Sequence, residues 1–214
     1  MDQLGNIIEK IRETFEAKSK TRDSALQRSR SLIRTCSKAI RAAHREDWSA
    51  AEMQLESANQ EAAELVGSLS SYPDLYHTGY TQDALKEYVE AHITVALIKG
   101  DSIPTPDSLG VEPSTYLGGL VEAATEMRRR ILDIIRHSHS EEATRLLEAM
   151  DAIYGEMISV DFPDAITHGL RRKTDVLRGV LERTRGDMTT SLRQQQLQDE
   201  ISRLERRLEH SDDN

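Results

Sequence analysis

An all-α bundle of six to eight helices is the architecture this sequence predicts, on three observations. Apolar residues recur at intervals of three and four along most of the chain. Glycine and proline number only 11 and 5, and no segment alternates apolar with polar residues as an exposed strand does. With 214 residues the chain can form one sizeable core, and a single domain over 1–187 followed by a helical tail over 188–214 is the expected organisation.

The elements can be justified in order. A first stripe comprises Leu26, Ile33, Ile40 and Ala43. Asp47 before Trp48 has the character of an N-cap, and it opens a second stripe through Leu55, Ala58, Ala62, Leu65 and Leu69. Leu85, Tyr88, Val89 and Ala96 mark a third, and Leu117, Leu120, Ala124, Ile131 and Ile134 a fourth. Ser138 to Ser140 offer a cap for the stripe of Leu146, Ala149, Ile153 and Met157, and Leu170, Val176, Leu177, Val180 and Leu181 form the next. The prolines fall around Pro73, between Pro104 and Pro113, and at Pro163, and read as connections between helices. At the end Leu197, Ile201, Leu204 and Leu208 step by four, three and four, the spacing of a coiled-coil seam. Two heptads suit a helix laid on the protein's own body as well as one that binds a partner.

Composition narrows the function classes. A formal net charge of −9 argues against a simple nucleic-acid coat protein, and 4% aromatic residues argue against a base-stacking platform. The one cysteine, Cys36, has no partner for an internal disulfide and sits on an apolar helical face, which suits a buried thiol in a reducing compartment. The opening residues carry scattered charges, and no stretch approaches eighteen uninterrupted apolar residues, so a soluble, cytoplasmic protein without a membrane partner is expected. The chain has no Walker loop, GxSxG elbow, CxxC pair or HExxH spacing, which removes the usual support for P-loop hydrolysis, serine acyl transfer and zinc chemistry. His92 follows Glu90 by two residues, so on a helix the two point apart and a packed role suits the histidine.

Charge is unevenly distributed. From Thr21 to Arg45 there are seven basic residues against one acid, Asp23. Among them Arg30, Arg34, Lys38, Arg41 and Arg45 follow at steps of four, four, three and four, one ridge along a helix. Such a ridge can track a phosphate backbone; it can equally be a solvated face paired with neighbouring acids. Arg171, Arg172, Lys173 and Arg178 form a second basic cluster.

Two acid pairs stand apart from the rest. Glu87 and Glu90 lie three residues apart in LKEYVEAHITVALIKG, and Glu122 and Glu126 four apart in YLGGLVEAATEMRRR, so each pair shares a helical face beside apolar surface. If the two helices face one another, four carboxylates converge into a set of hard oxygen ligands suited to Mg²⁺ or Mn²⁺. The plainer reading pairs Glu126 with Arg129 or Arg130, and Glu87 with Lys86 or solvent.

These stretches resemble the translin family, and more closely its translin-associated factor X branch, in a prokaryotic or archaeal form. The resemblance is carried by RSRSLIRTCSKAIRAAHRED, LKEYVEAHITVALIKG, STYLGGLVEAATEMRRRIL and GLRRKTDVLRGVLERTRGD, and it covers about residues 20–187. It implies a fold of about seven helices, hollow ring-like or barrel-like homo-oligomers such as octamers, and binding of single-stranded RNA or DNA. The factor X branch further implies Mg²⁺-dependent endoribonuclease activity, whose acidic residues map onto Glu87, Glu90, Glu122 and Glu126. Glu122 stands where that branch usually has aspartate, which keeps the charge and lengthens the arm by one methylene. The basic ridge from Arg28 to Arg45 matches a region similar to the family's nucleic-acid-facing helix.

The expected function is therefore a metal-dependent endoribonuclease acting on single-stranded RNA. Glu87, Glu90, Glu122 and Glu126 would be both catalytic and metal-binding, and Arg30, Arg34, Lys38, Arg41 and Arg45 would contact the backbone. A non-catalytic translin-like binding subunit is the second possibility, and a helical scaffold assembled through the Leu197 to Leu208 seam is the third.

Overall fold

The computed structural model describes the backbone of residues 2–136 and 141–212. Among these residues there is no strand; there are six long helices and three four-residue turns of helix. In chain order they are α1 (Asp2–His44), α2 (Trp48–Ser68), α3 (Pro73–Tyr76), α4 (Gly79–Lys99), α5 (Pro106–Leu109), α6 (Pro113–Ile135), α7 (Glu141–Ser159), α8 (Asp164–Thr167) and α9 (Leu170–Asp212). The prolines open helical turns rather than simply separating helices: Pro73, Pro106 and Pro113 each occupy a first helical position, where the missing N–H is no loss. Asp47 caps α2 as expected, its carboxylate accepting from the Ala50 N–H at 3.2 Å. The cap expected at Ser138 to Ser140 lies outside the described residues.

The chain divides into two compact units, 1–123 and 124–214. The boundary anticipated at residue 187 falls inside α9, which runs unbroken from Leu170 to Asp212.

In the first unit α4 is the central element. Its buried residues lie on most sides of the helix, interrupted along the line of Asp83, Lys86, Glu87 and Glu90, so most of its surface must be enclosed. It packs against α1 and α2 over Leu32, Cys36, Ala58, Leu65, Leu69 and Leu85. Gly100 ends α4 in the left-handed region at φ 82°, with its N–H on the Ala96 carbonyl at 2.9 Å. In the second unit Met127, Ile131, Leu146, Met150, Leu177 and Leu181 are fully buried. Arg130 is buried there with both its Nε and Nη2 donating to Glu142, at 2.7 and 3.0 Å. Val176 departs from the apolar stripe read in the sequence, being 54% exposed.

Both long helices leave apolar seams uncovered. Leu4, Ile8, Ile11 and Phe15 are exposed on α1, and Leu197, Ile201, Leu204 and Leu208 stand 62, 47, 58 and 61% exposed on α9. No helix among the described residues is long and apolar enough to cross a membrane.

Candidate functional site

The site is built where α6 meets α4, and a glycine sets the approach. A Cβ added at Gly119 would stand 2.7 Å from both Cβ and Cγ1 of Val89 and 2.8 Å from the Lys86 carbonyl oxygen, far inside contact distance. Only glycine lets the two backbones come this close. Thr115, one turn earlier on α6, donates its hydroxyl to Gln82 of α4 at 2.5 Å and fixes the register. One turn after Gly119 comes Glu122, which is thereby delivered to the face of α4 that carries Glu87 and Glu90.

Glu87, Glu90 and Glu122 each offer a carboxylate oxygen, and these oxygens lie within 4.8 Å of one another. All three side chains are half-buried. Burial pushes the Glu87 carboxyl above its usual range; Lys86 opposes that shift, while Glu122 and Asp83 add to it. Lys86 extends its ammonium into the cluster, 2.8 Å from Glu122 and 3.8 Å from Glu87. Burial alone would lower the Lys86 pKa, yet its contact with Glu122 raises it and keeps the charge. Glu126, one turn further along α6 and within the second unit, pairs with Arg129 at 3.5 Å, as the plainer reading of the spacing allowed. It is not among the three acids that the structure groups.

A divalent ion suits this donor set. Carboxylates are hard ligands, and two oxygens on one Mg²⁺ with bonds of roughly 2.1 Å are at most about 4.2 Å apart. The three carboxylate oxygens, all within 4.8 Å of one another, are close to that span.

A fourth carboxylate nearby escaped the sequence reading. Glu61 of α2 accepts from Thr35 at 2.7 Å and Ser57 at 3.3 Å through Oε1, while its Oε2 is buried with no hydrogen-bond partner. Burial first, then the charges of Glu87, Glu61 and Glu90, push the Cys36 thiol far up, so this sulfur is an inert packed group flanked by three acids. An acid set between Ala58, Ala62 and Leu65 on a buried stripe was the available signal.

His92 takes no part in the acidic group. Its Nε2 lies 2.9 Å from Asn59 Oδ1, which also accepts from the Tyr88 hydroxyl at 2.8 Å, so Nε2 carries the proton. Burial lowers its pKa to about 4, and the ring is neutral in ordinary buffers.

Arg30, Arg34, Lys38 and Arg41 are exposed along α1 and Arg45 in the turn just after it, and among the described residues none of the five pairs with an acid. Arg28, at the start of the ridge, does pair, with Glu64 of α2. The second basic cluster begins α9 with Arg171 and Arg172 exposed, and there Arg178 pairs with Asp175 at 3.8 Å.

An all-α protein with a carboxylate cluster between two helices and an unpaired basic ridge on a third is the class that fold and site define. No family model matches the chain. It is similar to the solved structure of AfC3PO, with a TM-score of 0.79 and 32% identity over 86% of this chain and 96% of that one. It is similar also to the structure of AfC3PO in complex with duplex RNA, with a TM-score of 0.73 and 31% identity over 86% and 95%. The structure of apo-NeC3PO has the same fold, with a TM-score of 0.79 at 22% identity over 86% and 96%. An uncharacterised protein of Methanocaldococcus jannaschii, MJ0175, is 28% identical over 207 residues, 96% of this chain and 90% of that protein. The chain belongs to the translin family of C3PO proteins.

Proposed function

We propose that this protein is a divalent-metal-dependent endoribonuclease of the translin-associated factor X type, cutting single-stranded RNA in the cytoplasm. The observation that carries the proposal is the convergence of Glu87, Glu90 and Glu122, from two helices held together at Gly119, into one half-buried set of oxygen ligands. Family membership supports it, and so does the RNA complex of AfC3PO, whose RNA is a duplex.

In this reading Glu87, Glu90 and Glu122 hold Mg²⁺ or Mn²⁺; Glu126, which the family resemblance adds to the set, pairs with Arg129 within the second unit. The metal, when bound, supplies an activated water and neutralises charge building at the scissile phosphate. The half-buried carboxylates keep their ligand geometry because Gly119 and the Thr115–Gln82 bond fix α6 on α4. Arg30, Arg34, Lys38, Arg41 and Arg45 hold the phosphate backbone without reading bases. The exposed seams of α1 and α9 favour assembly into a homo-oligomer, octamer-like in this family resemblance.

A second reading has one observation in its favour: Lys86 already neutralises part of the cluster, as it would in a non-catalytic RNA-binding subunit with vestigial acids. Labelled RNA, single-stranded and duplex, incubated with the protein in Mg²⁺, in Mn²⁺ and in EDTA separates the two. The catalytic reading expects cleavage that EDTA abolishes and that falls by about 10²–10³ in Glu122→Ala, the scale of losing a charge-stabilising group. Binding without cleavage in every condition supports the binding subunit.

A further inference from the structure

We infer that Lys86 is the resident counter-ion of the carboxylate cluster, and that a divalent cation enters only by displacing its ammonium from Glu122 and Glu87. This deepens the metal-site reading above and rests on it, by naming the group with which the ion must compete.

The geometry is specific. Lys86 stands next to Glu87 on α4, and adjacent residues on a helix do not share a face, so a contact of both with one partner is not a product of local spacing. It arises because Gly119 brings α6 against the Lys86 carbonyl, which sets Glu122 within reach of the Lys86 side chain. The ammonium then lies 2.8 Å from Glu122 Oε2 and 3.8 Å from Glu87 Oε1, so two of the three metal-ligand candidates already have a cation. The Lys86 side chain is 18% exposed, and Asp83, one turn earlier on α4, adds to the negative field around it.

An ammonium is a compact, strongly hydrated point charge on a flexible stem of four carbons, so it can withdraw without moving the backbone. A divalent ion brings twice its charge to the same oxygens and gains from the exchange. A monovalent ion brings no more charge than the lysine and gains little. The cluster therefore discriminates by charge before it discriminates by size. Metal loading has a threshold set by this one side chain.

Calorimetric titration of Mn²⁺ into the full-length protein and into Lys86→Met tests the inference. Removing the competing unit charge is expected to tighten Mn²⁺ binding by about tenfold, with Lys86→Arg no tighter than the parent. Because Lys86→Met could lose its fold, Lys86→Gln is titrated alongside it. In the unmutated protein the ammonium ¹H–¹⁵N signal of Lys86, sheltered in the ion pair, is expected to vanish on addition of Mg²⁺ and to persist in equal ionic strength of KCl. Parent binding with equal or weaker affinity in both neutral variants, or an ammonium signal that Mg²⁺ leaves unchanged while the metal binds, overturns the counter-ion role and leaves the metal site standing. Absence of binding in parent and variants alike removes the metal site itself, and the inference with it.

Discussion

Gly119 of α6 rests on Val89 of α4 so closely that a Cβ at 119 would stand 2.7 Å from the valine Cβ. This contact, more than any ion pair, holds Glu122 beside Glu87 and Glu90. Glycine inside a helix normally costs about 1 kcal/mol relative to alanine, so a Gly→Ala change in an open helix stabilises. Here the sign reverses. Gly119→Ala is expected to destabilise by about 1–3 kcal/mol in urea unfolding, the range for overpacking a well-packed contact. Val89→Ala is not expected to rescue it, since the valine Cβ at 2.7 Å and the Lys86 carbonyl at 2.8 Å both stay. A stabilised Gly119→Ala would contradict the close approach.

The ridge on α1 carries a quantitative salt signature. Five exposed cations that each neutralise one phosphate give log K against log[salt] a slope of about −3.5 for single-stranded RNA, at roughly −0.7 per contact. Arg34→Ala with Lys38→Ala is expected to flatten that slope by about 1.4 and to weaken binding to all sequences alike. Fluorescence anisotropy over a salt series reads both. An unchanged slope means the ridge faces only solvent.

His92 makes the fold sensitive to acid. Its pKa is lowered to about 4 from 6.5, so between these values the unfolded chain binds a proton that the folded one refuses. Stability from this group is complete above pH 6.5 and is lost as pH falls from there toward 4. At pH 5 the loss is about 1–2 kcal/mol. His92→Asn, which does not titrate and can still meet Asn59, is expected to show a flatter dependence of unfolding free energy on pH over that window. An equal slope in parent and variant places the acid sensitivity elsewhere.

Much of this was legible in the sequence, and particular residues show where legibility stopped. Spacing alone put Glu87 with Glu90 on one face of a helix, and the structure has both on one face of α4. Spacing does not give the rotation of that helix against its neighbour, and α4 is apolar nearly all round, so its pattern carried no phase information. Of the second acid pair, Glu122 is turned to α4 while Glu126 lies with Arg129. That choice is made by Gly119, which read in the sequence as an unremarked member of YLGGL. Lys86 was read only as a partner for Glu87, and its closer contact with Glu122, like the contact of Glu61 with Thr35, spans two helices at a sequence distance no periodicity covers. The tail seam was read correctly as apolar, and its exposure became visible only once α9 was seen to continue beyond its packed portion.

The central claim is that three carboxylates from α4 and α6 grip one cation. Diffraction from crystals grown with Mn²⁺, recorded near the manganese absorption edge, tests it most directly. The expected result is an anomalous peak bonded to oxygens of Glu87, Glu90 and Glu122, with the Lys86 ammonium moved away from them. No peak at that position, with Lys86 still on Glu122 at a saturating concentration of Mn²⁺, would contradict it.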